Sequence, residues 1–175
     1  DLGQQVARAD GRDELPHRPP RPGGRARRFH RLDLACAAER AVNVEVGMEI
    51  PPWTMEHVDP EKMKLYAAIA RDPNPIHWDR AEVAKRGMGD RLINQGPLNL
   101  AYIVNMLHAW AGPGCIRSLN VKFTAPVHDG DTVIARGVVT AVREENGERV
   151  VECEVAAVSA ADLTLVRGEA LVRVS

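Results

Sequence analysis

A helix-length stretch from residue 97 to about residue 110 constrains the fold more than any other part of this sequence. Its residues are apolar on nearly every side of a helix. Gly96-Pro97 is a typical helix start, because proline is favoured in the first turn, and Gly112-Pro113-Gly114 is a typical stop. A helix that is apolar all round lies in a protein interior. The rest of the chain therefore has to supply a layer that covers it.

The sequence after this helix supplies such a layer. From Ile116, apolar and polar residues alternate with the period of a half-buried strand. Residues 132–142, 149–159 and 163–174 are further β-rich runs, and Asn146-Gly147 is a strong hairpin signal between the first two. About four antiparallel strands are predicted here. The sequence thus favours a single α+β domain, in which an antiparallel sheet wraps around a long central helix.

Shorter elements are predicted before the central helix. Residues 47–54 favour a first strand or an extended lead-in. Asp59-Pro60 is typical of a helix start, with an N-cap residue followed by proline. Asp79 can cap a second short helix over residues 80–86. The first helix has one apolar stripe, which predicts a core-facing side: Met63, Tyr66, Ala67 and Ala70.

The first 46 residues differ in kind from the rest. They are rich in arginine and proline and poor in large apolar residues, so they cannot offset the entropy lost on ordering. Residues 1–46 are predicted to be a disordered tail, or upstream sequence foreign to the natural protein, which leaves residues 47–175 as the domain. A nucleic-acid-binding arm is disfavoured because acidic residues dilute the arginines.

Composition narrows the function classes. A formal net charge of −1 gives no electrostatic case for nucleic acid or an anionic membrane. The apolar stretches are broken by charge or proline before they reach the length of a bilayer. The three cysteines Cys36, Cys115 and Cys153 are scattered and fit no zinc spacing. They suit a reducing compartment, so the cytoplasm is predicted.

A polar loop, Asp72-Pro73-Asn74-Pro75-Ile76-His77, follows the first predicted helix. The two prolines fix their own φ angles and bias Asp72 and Asn74 toward extended backbone, which makes the loop stiff. A carboxylate and an imidazole held this close can exchange protons through one water. Singly, Asp72 could be an ordinary turn residue and His77 a satisfied interior histidine. Together with Asn74 they indicate an acid–base site.

Other polar residues do not extend this site. Asp72, His77 and Asp79 could offer a metal one imidazole and two carboxylates, but no second histidine lies at helical spacing and no cysteine pair exists. No metal is therefore predicted. The remaining candidates are interpreted as a helix cap, as core or pocket wall, or as surface residues: Asp79 in the first group, Tyr66 and Tyr102 in the second, and His57, His108 and His128 in the third.

The loop carries a family resemblance. Residues 72–77, with Tyr66 before them and Asp79 and Ala84 after them, resemble the hydratase-2 motif of the MaoC-like dehydratases. Residues 121–131 resemble the strand and turn that follow the central helix in that family. The resemblance implies the hot-dog fold. It also implies hydration of trans-2-enoyl-CoA thioesters to (R)-3-hydroxyacyl-CoA, or the reverse, with no cofactor beyond the CoA of the substrate.

The resemblance also implies residue roles. Asp72 and His77 would be the catalytic pair, and Asn74 would help to hold the water. Negative charge that develops on the thioester oxygen is stabilised by a hydrogen-bond donor, and a backbone N–H at a helix start suits this role. Gly96 is the candidate, because it begins the central helix and has no side chain to block approach. Pro97 has no N–H, so the alternative donor is a residue at or after Leu98. Many family members carry a histidine where this chain has Gln95, so Gln95 is expected at the pocket edge.

Substrate and assembly stay open. Residues 94–96 and 110–113 look more like the small MaoC-like subunits of actinobacterial hydratases that act on steroid side chains and pair with a second subunit. A homodimer or a hetero-oligomer is expected, because a single sheet around one helix leaves edges to cover. A hot-dog thioesterase is disfavoured by the Asp-x-Asn-Pro-x-His spacing, and a non-enzymatic subunit by the intact Asp72 and His77.

Overall fold

The computed structural model describes residues 44–174, so most of the predicted tail, residues 1–43, lies outside the described residues. The described part has five strands and three α-helices in an α+β arrangement. Their bounds, in chain order, are β1 Glu49–Met55, α1 Pro60–Ala70, α2 Arg80–Lys85, α3 Gly96–Ala111, β2 Ile116–Phe123, β3 Val133–Glu145, β4 Glu148–Ser159 and β5 Thr164–Val174. A short 3₁₀ turn, Pro75–His77, lies between α1 and α2.

The five strands form one sheet in the order β1-β3-β4-β5-β2, and every neighbouring pair is antiparallel. The hairpin between β3 and β4 turns at Asn146-Gly147, and both residues have positive φ angles, 53° and 80°. Asn-Gly is favoured in this turn because these residues tolerate left-handed backbone. The predicted sheet around a central helix is confirmed, and the fold is the hot-dog fold.

Helix α3 lies against the sheet and contacts all five strands. Ile103, Met106 and Leu107 on this helix are fully buried in the core. The expectation of burial on every side is only partly met, since Asn105 and Ala109 are exposed in the single chain. A single sheet covers only the sheet-facing side of the helix, which accounts for this difference.

Helix α1 begins as the sequence predicts, with the Asp59 carboxylate accepting the Glu61 N–H at 2.9 Å. Met63 and Ala67 of its apolar stripe are buried and Tyr66 is half-buried. Ala70 is exposed because it lies in the last turn, where the chain leaves the helix. The packed region also reaches back before residue 47, since Val44 belongs to the core.

Candidate active site

The end of α1 determines where the first candidate residue lies. Arg71 adopts a left-handed conformation with φ 53°, and the next residue, Asp72, donates its backbone N–H to the Ala67 carbonyl at 2.9 Å. A left-handed residue commonly ends a helix because it allows such a closing bond. This backbone bond fixes Asp72 directly at the end of a packed helix.

The two carboxylate oxygens of Asp72 have different neighbours. Oδ1 accepts the backbone N–H of Asn74 at 3.0 Å, while Oδ2 lies 3.5 Å from Nε2 of His77. The His77 side chain is 11% exposed and the Asp72 side chain is 30% exposed. A distance of 3.5 Å is at the outer limit of a direct hydrogen bond, and a water can bridge such a pair. The structure thus brings the predicted pair together.

The other ring nitrogen of His77 is held by the backbone. Nδ1 lies 2.5 Å from the Ile93 carbonyl oxygen. Because a carbonyl only accepts, Nδ1 carries the proton, and a neutral ring then presents the lone pair of Nε2 to Asp72. The Ile93 N–H in turn donates to the Ile76 carbonyl at 3.0 Å. Two hydrogen bonds therefore connect the loop to the segment that leads into α3.

Gly96 begins α3 and is half-buried. The N–H groups of Leu98 and Asn99 both donate to the Gln95 carbonyl at 3.1 Å, and Pro97 has no N–H. Within residues 44–174, the Gly96 N–H has no acceptor, as is usual for a helix start. A Cβ built on Gly96 would lie 3.4 Å from the ring of Phe123, so this ring covers the glycine closely. The Gly96 N–H is the free donor of this first turn.

Gln95 and Asn74 make contacts that the sequence did not reveal. Gln95 is only 1% exposed, and its Nε2 donates to the Met63 carbonyl at 2.9 Å, which ties α1 to the start of α3. The Asn74 side-chain oxygen accepts a hydrogen bond from Arg86 at 3.4 Å. The roles of Gln95 at the pocket edge and of Asn74 in holding water stay predictions.

A buried polar group at the start of α3 was missed in the sequence. Asn94 Nδ2 donates to Asn99 Oδ1 at 2.6 Å and to the Tyr102 hydroxyl at 3.0 Å. Burial raises the pKa of Tyr102, which keeps its hydroxyl neutral. The Tyr102 ring stacks on Trp53 with centroids 5.7 Å apart. Asn99 and Tyr102 occupy positions in a largely apolar helix, so periodicity alone gave no signal for this group.

Asp129 was also missed. It is 7% exposed, and its Oδ1 accepts the Leu92 backbone N–H at 2.6 Å. The sequence Asp129-Gly130-Asp131 signals a turn, and nothing in that signal distinguishes a buried carboxylate from an exposed one. The turn itself is present, with Gly130 at φ 81°.

The remaining predictions have mixed outcomes. Asp79 caps α2, because its Oδ1 accepts the Ala81 N–H at 2.9 Å. His57 is exposed as predicted, whereas His108 and His128 are half-buried because each lies partly against packed chain. Residues 44–174 contain no group of three His, Cys, Asp or Glu side chains that could hold a metal ion. No helix in the same range is long and apolar enough to cross a membrane.

Comparison with known proteins identifies the family. Residues 38–161 match the family model described as MaoC like domain. The chain belongs to the MaoC-like dehydratase family. The candidate residues therefore lie within a MaoC-like domain, in the loop 72–77 and at the start of α3.

Individual relatives agree with this assignment. A mitochondrial 3-hydroxyacyl-[acyl-carrier-protein] dehydratase from Arabidopsis thaliana is 28% identical over 92 residues, which are 53% of this chain. The match spans about half of that relative, 55% of its length. An (R)-hydratase from A. caviae involved in PHA biosynthesis is 28% identical with a TM-score of 0.68, covering 77% of this chain and 100% of that one.

A second similar structure comes from a complex of two proteins. The ChsH1-ChsH2 complex from Mycobacterium tuberculosis contains a chain that is 22% identical to this one, with a TM-score of 0.65. The match covers 75% of this chain and 99% of that chain. At this identity the comparison shows a shared fold.

Proposed function

We propose that this protein catalyses the (R)-specific hydration of trans-2-enoyl-CoA thioesters to 3-hydroxyacyl-CoA, or the reverse dehydration. One observation carries the proposal: Asp72 Oδ2 and His77 Nε2 lie 3.5 Å apart. The (R) outcome rests on the similarity to the A. caviae (R)-hydratase. We propose CoA as the carrier, whereas the name of the Arabidopsis relative specifies acyl-carrier protein.

The chemistry needs one water and the two side chains. Asp72 and neutral His77 both present acceptors to the space between them, so a water there can donate to both. When the water oxygen bonds to the β-carbon of the enoyl group, one proton passes to the pair. The pair returns one proton to the α-carbon, and the sum is the addition of H₂O. The reaction combines addition of the water oxygen to the β-carbon with two proton transfers and has no redox step, and we propose that it uses no cofactor beyond the substrate's CoA.

The other requirement is to stabilise the negative charge that develops on the thioester oxygen. The free Gly96 N–H at the start of α3 is the proposed donor, and the positive end of the helix dipole adds to its effect. Gly96 suits this role because it has no side chain that could block the approach of the thioester oxygen to its N–H. Phe123 is 48% exposed and flanks this donor, so its ring would border the entering acyl group.

The active form is proposed to be at least a dimer, with either a second copy or a second hydratase subunit. Strands β1 and β2 are the two sheet edges, and such edges with free backbone groups are usually covered. The exposed Asn105 and Ala109 on α3 leave a helix side open as well. We further propose a cytoplasmic location, because Cys115 and Cys153 are free thiols, as is usual in reducing compartments.

The test is an assay of the full chain with crotonyl-CoA and with a bulky, ring-bearing enoyl-CoA. We expect loss of the enoyl absorbance and an (R)-3-hydroxy product on chiral chromatography. The Asp72→Asn variant is the matched control for contaminating hydratase. Release of free CoA with the enoyl group intact would instead indicate a thioesterase. A chain that changes neither substrate, alone or with a second hydratase subunit added, would contradict the proposal.

A further inference from the structure

The loop that carries His77 is held by a segment that is itself anchored elsewhere. Residues 92–94 run beside the turn at 127–129. The Asn94 backbone N–H donates to the Val127 carbonyl at 2.7 Å, and the Asp129 backbone N–H donates to the Leu92 carbonyl at 3.0 Å. In the middle of this segment, the Ile93 carbonyl accepts the His77 Nδ1 proton. The position of the imidazole therefore depends on where this segment lies.

The Asp129 side chain makes two further contacts, one with the segment that holds the His77 ring and one with the helix that follows the His77 loop. Its Oδ1 accepts the Leu92 N–H at 2.6 Å, one residue before the Ile93 carbonyl. Its Oδ2 pairs with the guanidinium of Arg80, the first residue of α2, which follows the catalytic loop directly. Arg80 also donates to the Asp90 carbonyl at 3.0 Å. One carboxylate thus connects the segment before α3 with the helix after the loop.

The burial of Asp129 indicates that its carboxylate holds the surrounding chain in place and is not an ordinary surface group. The residue is 7% exposed, and a buried carboxylate is costly unless it is paired and hydrogen-bonded. Arg80 compensates the charge and the Leu92 N–H satisfies one oxygen. Removing the carboxylate would leave the half-exposed Arg80 with its bond to the Asp90 carbonyl alone, and would leave the buried Leu92 N–H unpaired at the anchor of the Ile93 carbonyl.

We propose that Asp129 is a positioning residue for the hydration reaction, acting through the Ile93 carbonyl to hold His77 in the tautomer with its proton on Nδ1. This inference rests on the proposed function, since it names a residue that supports the same site. The hydrogen bond at one ring nitrogen of a histidine decides which nitrogen is protonated. A displaced Ile93 carbonyl would therefore leave Nε2 without a fixed lone pair toward Asp72.

The same turn provides a matched control, Asp131. It also pairs with an arginine, Arg91, at 2.5 Å, and its Oδ2 accepts the His128 N–H at 2.9 Å. It has no hydrogen bond to the backbone of residues 92–94. Asp131→Ala removes an acidic, arginine-paired side chain from the turn without removing the bond to Leu92. It controls for general loss of stability.

The experiment compares Asp129→Ala with Asp131→Ala in the full chain. Two readouts are used: steady-state kcat and KM for an accepted enoyl-CoA, and the ¹⁵N NMR shifts of the histidine ring, with the His77 signals assigned from the His77→Gln spectrum. For Asp129→Ala we expect kcat to fall on the order of 10- to 100-fold with little change in KM, as for a misplaced catalytic group. The His77 signals should shift toward a mixture of tautomers, while Asp131→Ala keeps the wild-type spectrum.

Three results would overturn the inference. They are an unchanged His77 tautomer in Asp129→Ala, an unchanged kcat in that variant, and equal effects in Asp131→Ala. If Asp129→Ala does not fold, Asp129→Asn decides, because its amide oxygen can still accept the Leu92 N–H while the negative charge that pairs with Arg80 is lost. It should give smaller changes in the same directions. The NMR readout needs no turnover. An inactive wild-type protein would therefore contradict the proposed function, while the His77 ring signals would still test whether Asp129 holds the tautomer.

Discussion

Gly168 is the position where an added methyl group should do the most damage to this fold. It lies in β5 opposite Val121 of the edge strand β2. A Cβ built on Gly168 would lie 2.0 Å from the Asn120 carbonyl oxygen and 2.7 Å from Val121 Cα. Both atoms belong to the backbone, so no side chain can rotate away to make room. Gly168→Ala should therefore push β2 away from β5.

The size of the effect follows from that distance. Cβ atoms essentially never come within 3.0 Å of such an atom, so β2 would have to move by about 1 Å at Asn120. Hydrogen bonds of about 2.9 Å would then stretch beyond the normal range. Two lost bonds cost about 2 kcal/mol and overpacking adds roughly 1–2 kcal/mol. We expect Gly168→Ala to lower the free energy of unfolding by about 3–4 kcal/mol.

Urea denaturation followed by circular dichroism measures this loss, and Gly137→Ala is the control. A Cβ on Gly137 would meet the Glu154 carbonyl at 3.0 Å and the flexible tips of Ile50 and Met106 at 3.0 and 3.2 Å. These contacts need only small adjustments, so the cost should be about 1 kcal/mol. A Gly168→Ala variant that is as stable as Gly137→Ala would refute the close approach of β2 and β5.

Three further predictions concern single residues. Arg71→Gly should stabilise the protein by about 0.5–1 kcal/mol in urea denaturation, because Arg71 has φ 53° and glycine adopts this conformation without steric cost. Asp79→Asn should change stability by less than about 1 kcal/mol, since asparagine is also a good N-cap, and should leave turnover intact. Cys153 should resist iodoacetamide at pH 8.5 in the folded protein, by mass mapping, because burial and then Cys115 raise its pKa to about 12. Between the ordinary thiol pKa of 9.0 and the folded-state pKa of about 12, only the unfolded chain ionises this thiol, so stability should fall as pH rises through this window.

The fold could be predicted because its main elements are encoded locally. The period of two after Ile116, the Asn146-Gly147 turn and the apolar stretch before them each depend on neighbouring residues alone. Proline and aspartate likewise marked the starts of α1 and α2. Element bounds differ by one to three residues, since α3 begins one residue earlier than predicted, at Gly96, and β3 ends three residues later, at Glu145.

The site could be predicted only where its residues are close in sequence. Asp72 and His77 share one loop, so a motif could reveal them. Asp129 approaches Leu92 across 37 residues of chain, and the tie from Gln95 to Met63 spans 32. Such contacts follow from how the sheet and helices pack, and no local pattern records them. The exposed side of α3 belongs to the same class, because it depends on how much of the helix one sheet can cover.

The central claim is that Asp72 and His77 act together on one water. Steady-state hydration of an accepted enoyl-CoA by Asp72→Asn, His77→Gln and the double variant tests it most directly, with circular dichroism as the folding control. Each single change should reduce kcat on the order of 10²–10⁴-fold, as for a general acid–base group. The double variant should be little worse than the worse single one, because groups that act as a unit are not additive. A folded single variant with near-normal kcat, or fully additive losses in the double variant, would contradict the account.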